Sequence, residues 1–149
     1  MQEGRTDMKY VILVSHGEFA RGLTNALGML AGNRNDLLCC GLEDGKSADD
    51  FAEEFREVLK PVTQDDEILL LGDLIGGSPL TTACSVISEK GLAEKTRVIG
   101  GMNLPLALTA LLMKDSMDLD GLKDAVISEA SQALKEFVLT GDEEEEDEV

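Results

Sequence analysis

The apolar run Tyr10 to Val14 (YVILV) is short, rich in β-branched residues and ended by Ser15-His16-Gly17, the pattern of a strand buried on both faces. The spacing then changes: Phe19, Leu23, Leu27 and Leu30 recur at helical intervals and stop at Gly32. The same strand-then-helix unit returns three times. Leu37 to Cys40 precedes a helix carrying Phe51, Phe55, Val58 and Leu59; Ile68 to Leu71 precedes a helix from Ser78 to about Lys90; Val98-Ile99 precedes a helix from Leu104 to Met113. A last helix puts Leu119, Leu122, Val126, Ala130, Ala133 and Phe137 on one stripe.

Alternation of this kind predicts an α/β fold: a doubly wound, mainly parallel sheet of four strands with right-handed crossovers and helices on both faces. The common strand order for such a sheet is 2-1-3-4, and no fifth strand is evident from the pattern. A chain of 149 residues accommodates one domain with a proper core. It divides into a leader, residues 1–8, a domain, residues 9–140, and an acidic tail, residues 141–149; leader and tail are expected to be disordered.

Charge narrows the choice of partner. The formal net charge is -17, so attraction to nucleic acid or to an anionic membrane is not expected. Seven of the negative charges lie in the tail GDEEEEDEV, and the rest of the chain is still acidic without them. No run reaches the roughly 18 apolar residues of a membrane span, and MQEGRTD has no signal-peptide core, so a cytoplasmic protein is expected. Cys39, Cys40 and Cys84 lack metal-ligand spacing and read as reduced core thiols. Aromatic content of 3% with no tryptophan leaves few platforms for a flavin or a base, and neither a cofactor nor a metal is expected.

In an open parallel sheet ligands bind beyond the carboxyl ends of the strands, near the point where strand order reverses. The polar residues there are Ser15-His16-Gly17, Gly72-Asp73 followed by Leu74-Ile75-Gly76-Gly77-Ser78-Pro79, and Gly100-Gly101-Met102-Asn103. With the order 2-1-3-4, the first and third strands flank the switch point, and His16 faces Asp73. A carboxylate that accepts the Nδ1 proton of an imidazole fixes the tautomer and leaves Nε2 bare as nucleophile or base. Ser78 reads as an N-cap and Pro79 as the first helical residue, while Gly76 and Gly77 let backbone amides converge on an anion. With the backbone at Gly17, these residues describe an imidazole in a cradle for phosphoryl oxygens. Each feature alone is commonplace: a lone strand-end histidine is usually structural, and Asp73, Ser78 and the glycines are ordinary turn residues. Their joint occurrence on one face carries the reading.

The segments SHGEFARGL, GDLIGGSP and IGGMNLPLAL, spread over about Lys9 to Leu139, resemble the mannose-type enzyme IIA of the phosphoenolpyruvate-dependent sugar phosphotransferase system. The resemblance implies that His16 accepts phosphate from the phosphocarrier protein HPr and donates it to enzyme IIB. It implies too that Asp73 orients the ring, that Ser78 lies near the phosphoryl group, and that Asn103 and Pro105 border the pocket. A homodimer is implied, with a fifth, antiparallel C-terminal strand exchanged between subunits; Glu136 to Thr140 would supply it, against the helical stripe through Phe137. Enzyme IIB would be a separate chain. The transported sugar is not specified, because membrane components contact it and the carrier does not.

Other readings fit less well. The phosphocarrier subunit of dihydroxyacetone kinase has a similar fold and an equivalent histidine, but GGSP favours the sugar system. A histidine phosphatase needs an arginine where Ser15 stands and a second histidine; a metal chelatase lacks ligands. A serine hydrolase built on Ser78, His16 and Asp73 lacks G-x-S-x-G, no P-loop motif occurs, and a flavodoxin-like binding module lacks aromatics.

Overall fold

The computed structural model describes residues 7–140. Four parallel strands, β1 (Lys9–His16), β2 (Leu37–Leu42), β3 (Glu67–Gly72) and β4 (Thr96–Ile99), form one sheet in the order β2-β1-β3-β4. β1 lies in its middle, pairing Val11 with Leu37 on one side and with Leu69 on the other. Residues 10–15 are therefore buried on both faces, which explains the unbroken apolar run. The expected order and four-stranded α/β architecture are both found.

Five helices cover the sheet: α1 (Phe19–Ala31), α2 (Ala48–Val58), α3 (Ser78–Glu89), α4 (Leu104–Met113) and α5 (Leu119–Ala133). Alternate strand residues feed two cores. Val11, Leu13, Leu69 and Leu71 pack with α1, α4 and α5, whereas Ile12, Val14, Ile68 and Leu70 pack with α2 and α3. Phe51 and Phe55, one turn apart on α2, stack with centroids 6.0 Å apart in the second core.

Several expected positions shift. α1 faces the core through Ala20, Leu23 and Leu27, while Phe19 and Leu30 at its ends are exposed. Ala20 is small enough to bring the helix close to the strand, and so takes the place given to Phe19. β4 begins two residues before Val98, with the Thr96 hydroxyl donating to the Leu92 carbonyl at 2.8 Å. α5 stops at Ala133, where Leu134 adopts extended backbone, so Phe137 lies off the helical stripe. Residues 134–139 form no strand within this chain, and Leu134, Phe137, Val138 and Leu139 are exposed.

Met8, placed in the leader by sequence, is held by two bonds: its N–H donates to Asp66 Oδ1 at 2.9 Å, and its carbonyl accepts from Glu67 N–H at 2.9 Å. Residues 1–6 and the acidic tail lie outside the described residues. Among the described residues, no helix is long and apolar enough to cross a membrane. Cys40 is buried and Cys39 and Cys84 are half-buried, all three unbridged. Burial first, then the nearby charges of Glu54, Cys39 and Glu43, push the Cys40 thiol up to about 12, which keeps it protonated and unreactive at neutral pH.

Candidate functional site

β1 and β3 are neighbours, yet the helices that follow them lie on opposite faces, α1 on one and α3 on the other. The chain parts above the two strand ends and leaves a crevice there. His16, the last residue of β1, and Asp73, the residue after β3, meet in it across 57 positions of sequence.

Three hydrogen bonds define the pair. The His16 backbone N–H donates to Asp73 Oδ2 at 2.8 Å, and the imidazole Nδ1 lies 2.9 Å from the same oxygen. The Leu74 N–H donates to Asp73 Oδ1 at 2.8 Å. Two main-chain amides thus orient the carboxylate before the ring meets it. Burial works to raise the Asp73 pKa, but the hydrogen bonds from the His16 backbone, the His16 ring and the Leu74 backbone outweigh it, and the carboxyl is held below its ordinary value. It is charged at neutral pH, and this contribution to stability is present above the ordinary aspartate range and lost as pH falls through the lowered value. An ionised Asp73 can only accept, so the hydrogen bond is donated by Nδ1–H and the imidazole lone pair sits on Nε2. The ring is 48% exposed while the Asp73 side chain is only 14% exposed, an anchored base presented to solvent.

The glycines shape the surroundings. Gly17 turns the chain out of β1 with φ of 55°, its N–H donating to the Leu42 carbonyl at 2.8 Å. Gly76 follows suit at φ 89°. Gly77 lies against the ring: a Cβ there would come 2.9 Å from His16 Cε1 and 3.6 Å from Nε2. The start of α3 consequently abuts the imidazole, although Gly77 is its N-cap and Ser78 its first helical residue, not the cap that sequence suggested. With backbone at φ -83° and ψ 161° the glycine serves as a cap without a side chain, which frees the Ser78 hydroxyl; among the described residues no side chain bonds the first-turn amides. Asn103 and Pro105 start α4. The Asn103 side chain is engaged in capping, accepting from Leu106 N–H at 2.9 Å, and makes no hydrogen bond to His16 or Asp73.

One positioning residue was missed. Ser15 is fully buried; its Oγ accepts from Ala20 N–H at 2.7 Å and donates to the His16 carbonyl at 3.0 Å. It caps α1 from within the strand, since Glu18 at the cap position makes no side-chain bond, and ties the helix start to the histidine main chain. The signal for it is a hydroxyl closing an otherwise apolar buried run.

A half-exposed strand-end histidine with a charged aspartate on Nδ1, in the switch-point crevice of a doubly wound sheet and beside a helix start that has no side-chain cap, is the candidate site of this α/β protein. Among the described residues no group of three or more histidine, cysteine or acidic side chains is placed to hold a metal ion. Comparison with known proteins gives the family. The model of the "PTS system fructose IIA component" family, EIIA-man, matches residues 10–127. The fructose-specific EIIA component of Bacillus subtilis (strain 168) is 28% identical over 125 residues, covering 84% of each chain. The mannose-specific EIIAB component of Escherichia coli (strain K12) is 27% identical over 105 residues, 70% of this chain, which spans only 32% of that longer protein. Phosphotransferase system component EIIA from Streptococcus agalactiae superposes with a TM-score of 0.75 at 29% identity, covering 87% of this chain and 97% of that one. The chain therefore belongs to the mannose-type EIIA family of the sugar phosphotransferase system.

Proposed function

We propose that the protein is a cytoplasmic phosphoryl carrier that takes phosphate from phospho-HPr on His16 Nε2 and passes it to enzyme IIB. The observation that carries this reading is the 2.9 Å contact between His16 Nδ1 and the charged Asp73 on a half-exposed ring. In the transfer the Nε2 lone pair forms a bond to phosphorus as the donor's own N–P bond breaks, and the donor imidazole departs with that electron pair. Positive charge grows on the His16 ring, and Asp73, fixed by two amides, stabilises it through the Nδ1 proton without reorganising. The first-turn amides of α3, with Gly17, Gly76 and Ser78 around them, stand beside the ring where equatorial phosphoryl oxygens would lie. Asn103 and Pro105 serve this site as the rim of the crevice. Donation to enzyme IIB is the same step in reverse. The exposed apolar residues after α5 support a homodimer in which residues 136–140 pair as a strand with a second copy.

The test is incubation of the whole chain with phosphoenolpyruvate, enzyme I and HPr, followed by intact-mass measurement. A gain of one phosphoryl group, lost in acid and kept in base, is expected; no gain overturns the carrier reading.

Asp73→Asn removes the charge that stabilises the developing imidazolium. A hydrogen bond to a charged group contributes roughly 1.5–3 kcal/mol, so transfer is expected to slow about ten- to hundredfold, with an unchanged circular dichroism spectrum. An unaltered rate removes Asp73 from the mechanism. Gly77→Ala keeps an allowed backbone but drives a methyl group to within 2.9 Å of His16 Cε1. The ring must shift by a few tenths of an ångström, and quenched-flow transfer is expected to slow about tenfold while thermal stability changes little, since positioning errors near 1 Å cost about a hundredfold.

A further inference from the structure

A half-exposed ring has few neighbours to aim it, so the direction of the His16 imidazole depends on the main chain that carries it. Three hydrogen bonds hold the peptide units on either side of its Cα. Ahead of it, the His16 N–H donates to Asp73 Oδ2 at 2.8 Å. Behind it, the His16 carbonyl accepts from the Ser15 hydroxyl at 3.0 Å, and the N–H of the same peptide unit, on Gly17, donates to the Leu42 carbonyl at 2.8 Å. This second unit is therefore bonded at both polar ends, once by a side chain and once by the neighbouring strand. The Ser15 Oγ is fully buried and also accepts from Ala20 N–H at 2.7 Å, which fixes the direction in which its own proton points.

β2 supplies the rest of the support. Ser15 pairs with Gly41 and His16 with Leu42. Gly41 has no conformational need to be glycine, since its φ is not positive as that of Gly17 is, and a glycine inside a strand weakens it. What it provides is room. The Gly17 carbonyl oxygen lies against the point a Gly41 Cβ would occupy, and the carbonyl carbon is 3.5 Å from that point. Both atoms belong to the main chain and cannot swing aside as the end of a long side chain would. The turn that follows His16 is thus laid on the bare backbone of β2, while the Ser15 hydroxyl holds it to the start of α1.

We propose that Ser15 and Gly41 are positioning residues for phosphoryl transfer: together they set the His16–Gly17 peptide unit, and through it the angle at which Nε2 meets the incoming phosphorus. This rests on the assignment of His16 as phosphoryl acceptor. Neither residue acts on phosphorus itself, because the Ser15 hydroxyl is buried and committed and Gly41 has no side chain. A turn displaced at Gly17 carries the ring with it and pulls Nδ1 off the line to Asp73, and a misplacement near 1 Å costs about a hundredfold in rate. The surface offered to a donor stays as it was. The loss therefore falls on the maximal rate and not on the donor concentration that gives half of it.

Quenched-flow transfer from purified phospho-HPr to the whole chain, run well below the melting temperature over a range of donor concentrations, tests the proposal. Gly41→Ala and Ser15→Ala are each expected to lower the maximal rate about ten- to hundredfold, with the half-saturating donor concentration little changed. Gly28→Ala, at the far end of α1, where the new methyl group meets only the exposed Asn33 side chain, leaves both unchanged. The double variant is expected to lose less than the product of the two separate effects, since both act through one peptide unit. Nitrogen NMR shifts of the unphosphorylated imidazole give a readout that needs no donor: the wild type shows a protonated Nδ1 and a bare Nε2, and both variants move toward a mixture of tautomers. Should Gly41→Ala fail to fold, Ser15→Ala, which only deletes an atom, decides alone. A phosphorylated wild type beside folded variants with unchanged maximal rates and unchanged nitrogen shifts, or effects that multiply fully in the double variant, overturns the positioning role alone. A wild type that gains no phosphoryl group overturns the carrier assignment with it.

Discussion

Exchanging His16 for alanine is expected to leave a folded chain that gains no phosphoryl group from phospho-HPr, while the wild type gains one. The side chain is half-exposed and ends a strand, so its removal opens no core cavity, and the six strand residues before it stay buried regardless. Chemically nothing nearby replaces it. His16 is the chain's only histidine. The buried Ser15 hydroxyl is committed to Ala20 and to the His16 carbonyl, and the Cys40 thiol is protonated and buried. Ser78 alone is a chemically conceivable substitute, with a free hydroxyl on the first residue of α3. A phosphoserine withstands acid whereas a phosphohistidine does not, so intact mass measured before and after acid treatment separates the two. An acid-stable gain in His16→Ala would move the acceptor to Ser78 and leave Asp73 without a role; equal melting temperatures of variant and wild type exclude unfolding as the cause of a loss.

The parts of this site that were legible in sequence are those set by topology. Four apolar runs alternating with helical stripes imply a doubly wound sheet, and the order 2-1-3-4 brings the residues after the first and third strands together whatever lies between them. His16 and Asp73 met on that ground, and the observed register, Val14 opposite Gly72, places their main chains side by side. Details governed by local competition were less legible. Gly77 rather than Ser78 caps α3 because the helical backbone already begins at Ser78, and a glycine at the cap lets the helix start lie close against the imidazole, where a Cβ would come 2.9 Å from Cε1. Thr96 and Arg97 are polar and so fell outside the apolar run Val98-Ile99, yet they open β4: the threonine hydroxyl bonds the Leu92 carbonyl, and the arginine, on an edge strand, forks onto Asp120 with Nε 2.6 Å from Oδ1. Ser15 was passed over because a hydroxyl at a strand end reads as a boundary, when the structure uses it as the cap of the next helix.

The far end of the sheet carries the second large effect. Lys114, directly after α4, is 3% exposed, and its Nζ lies 2.8 Å from Asp36 Oδ2 and 3.1 Å from Asp115 Oδ1. Asp36, itself 8% exposed, takes Arg34 Nε at 2.9 Å, and its carbonyl accepts from Val11 N–H to join the start of β2 to β1. Burial acts to raise the Asp36 pKa, but hydrogen bonds from Arg34 and Lys114, and then their charges, prevail and hold it below the ordinary value. Removing Lys114 leaves a buried carboxylate with one cation instead of two and an unfilled channel where the aliphatic stem lay. Loss of one partner of a buried pair costs about 3–5 kcal/mol, and Arg34 stays, so Lys114→Ala is expected to lose about 3 kcal/mol, a fall in Tm of about 10 °C. In Lys114→Met the stem is restored and only the charge is missing, so a smaller loss is expected. Adding Asp36→Asn to that variant should then cost less than it does alone, because the two changes remove one interaction. The pH dependence follows from the lowered Asp36 pKa: the stability it contributes is whole above the ordinary aspartate range and disappears as pH falls through the folded value, so the gap between wild type and Lys114→Ala is expected to narrow in acid to the part due to lost packing. Phosphoryl transfer below the melting range should be unaffected, since this network lies at the opposite ends of the strands from His16; strictly additive losses in the double variant, or a gap in Tm that does not narrow at low pH, would show that Lys114 stabilises by packing alone.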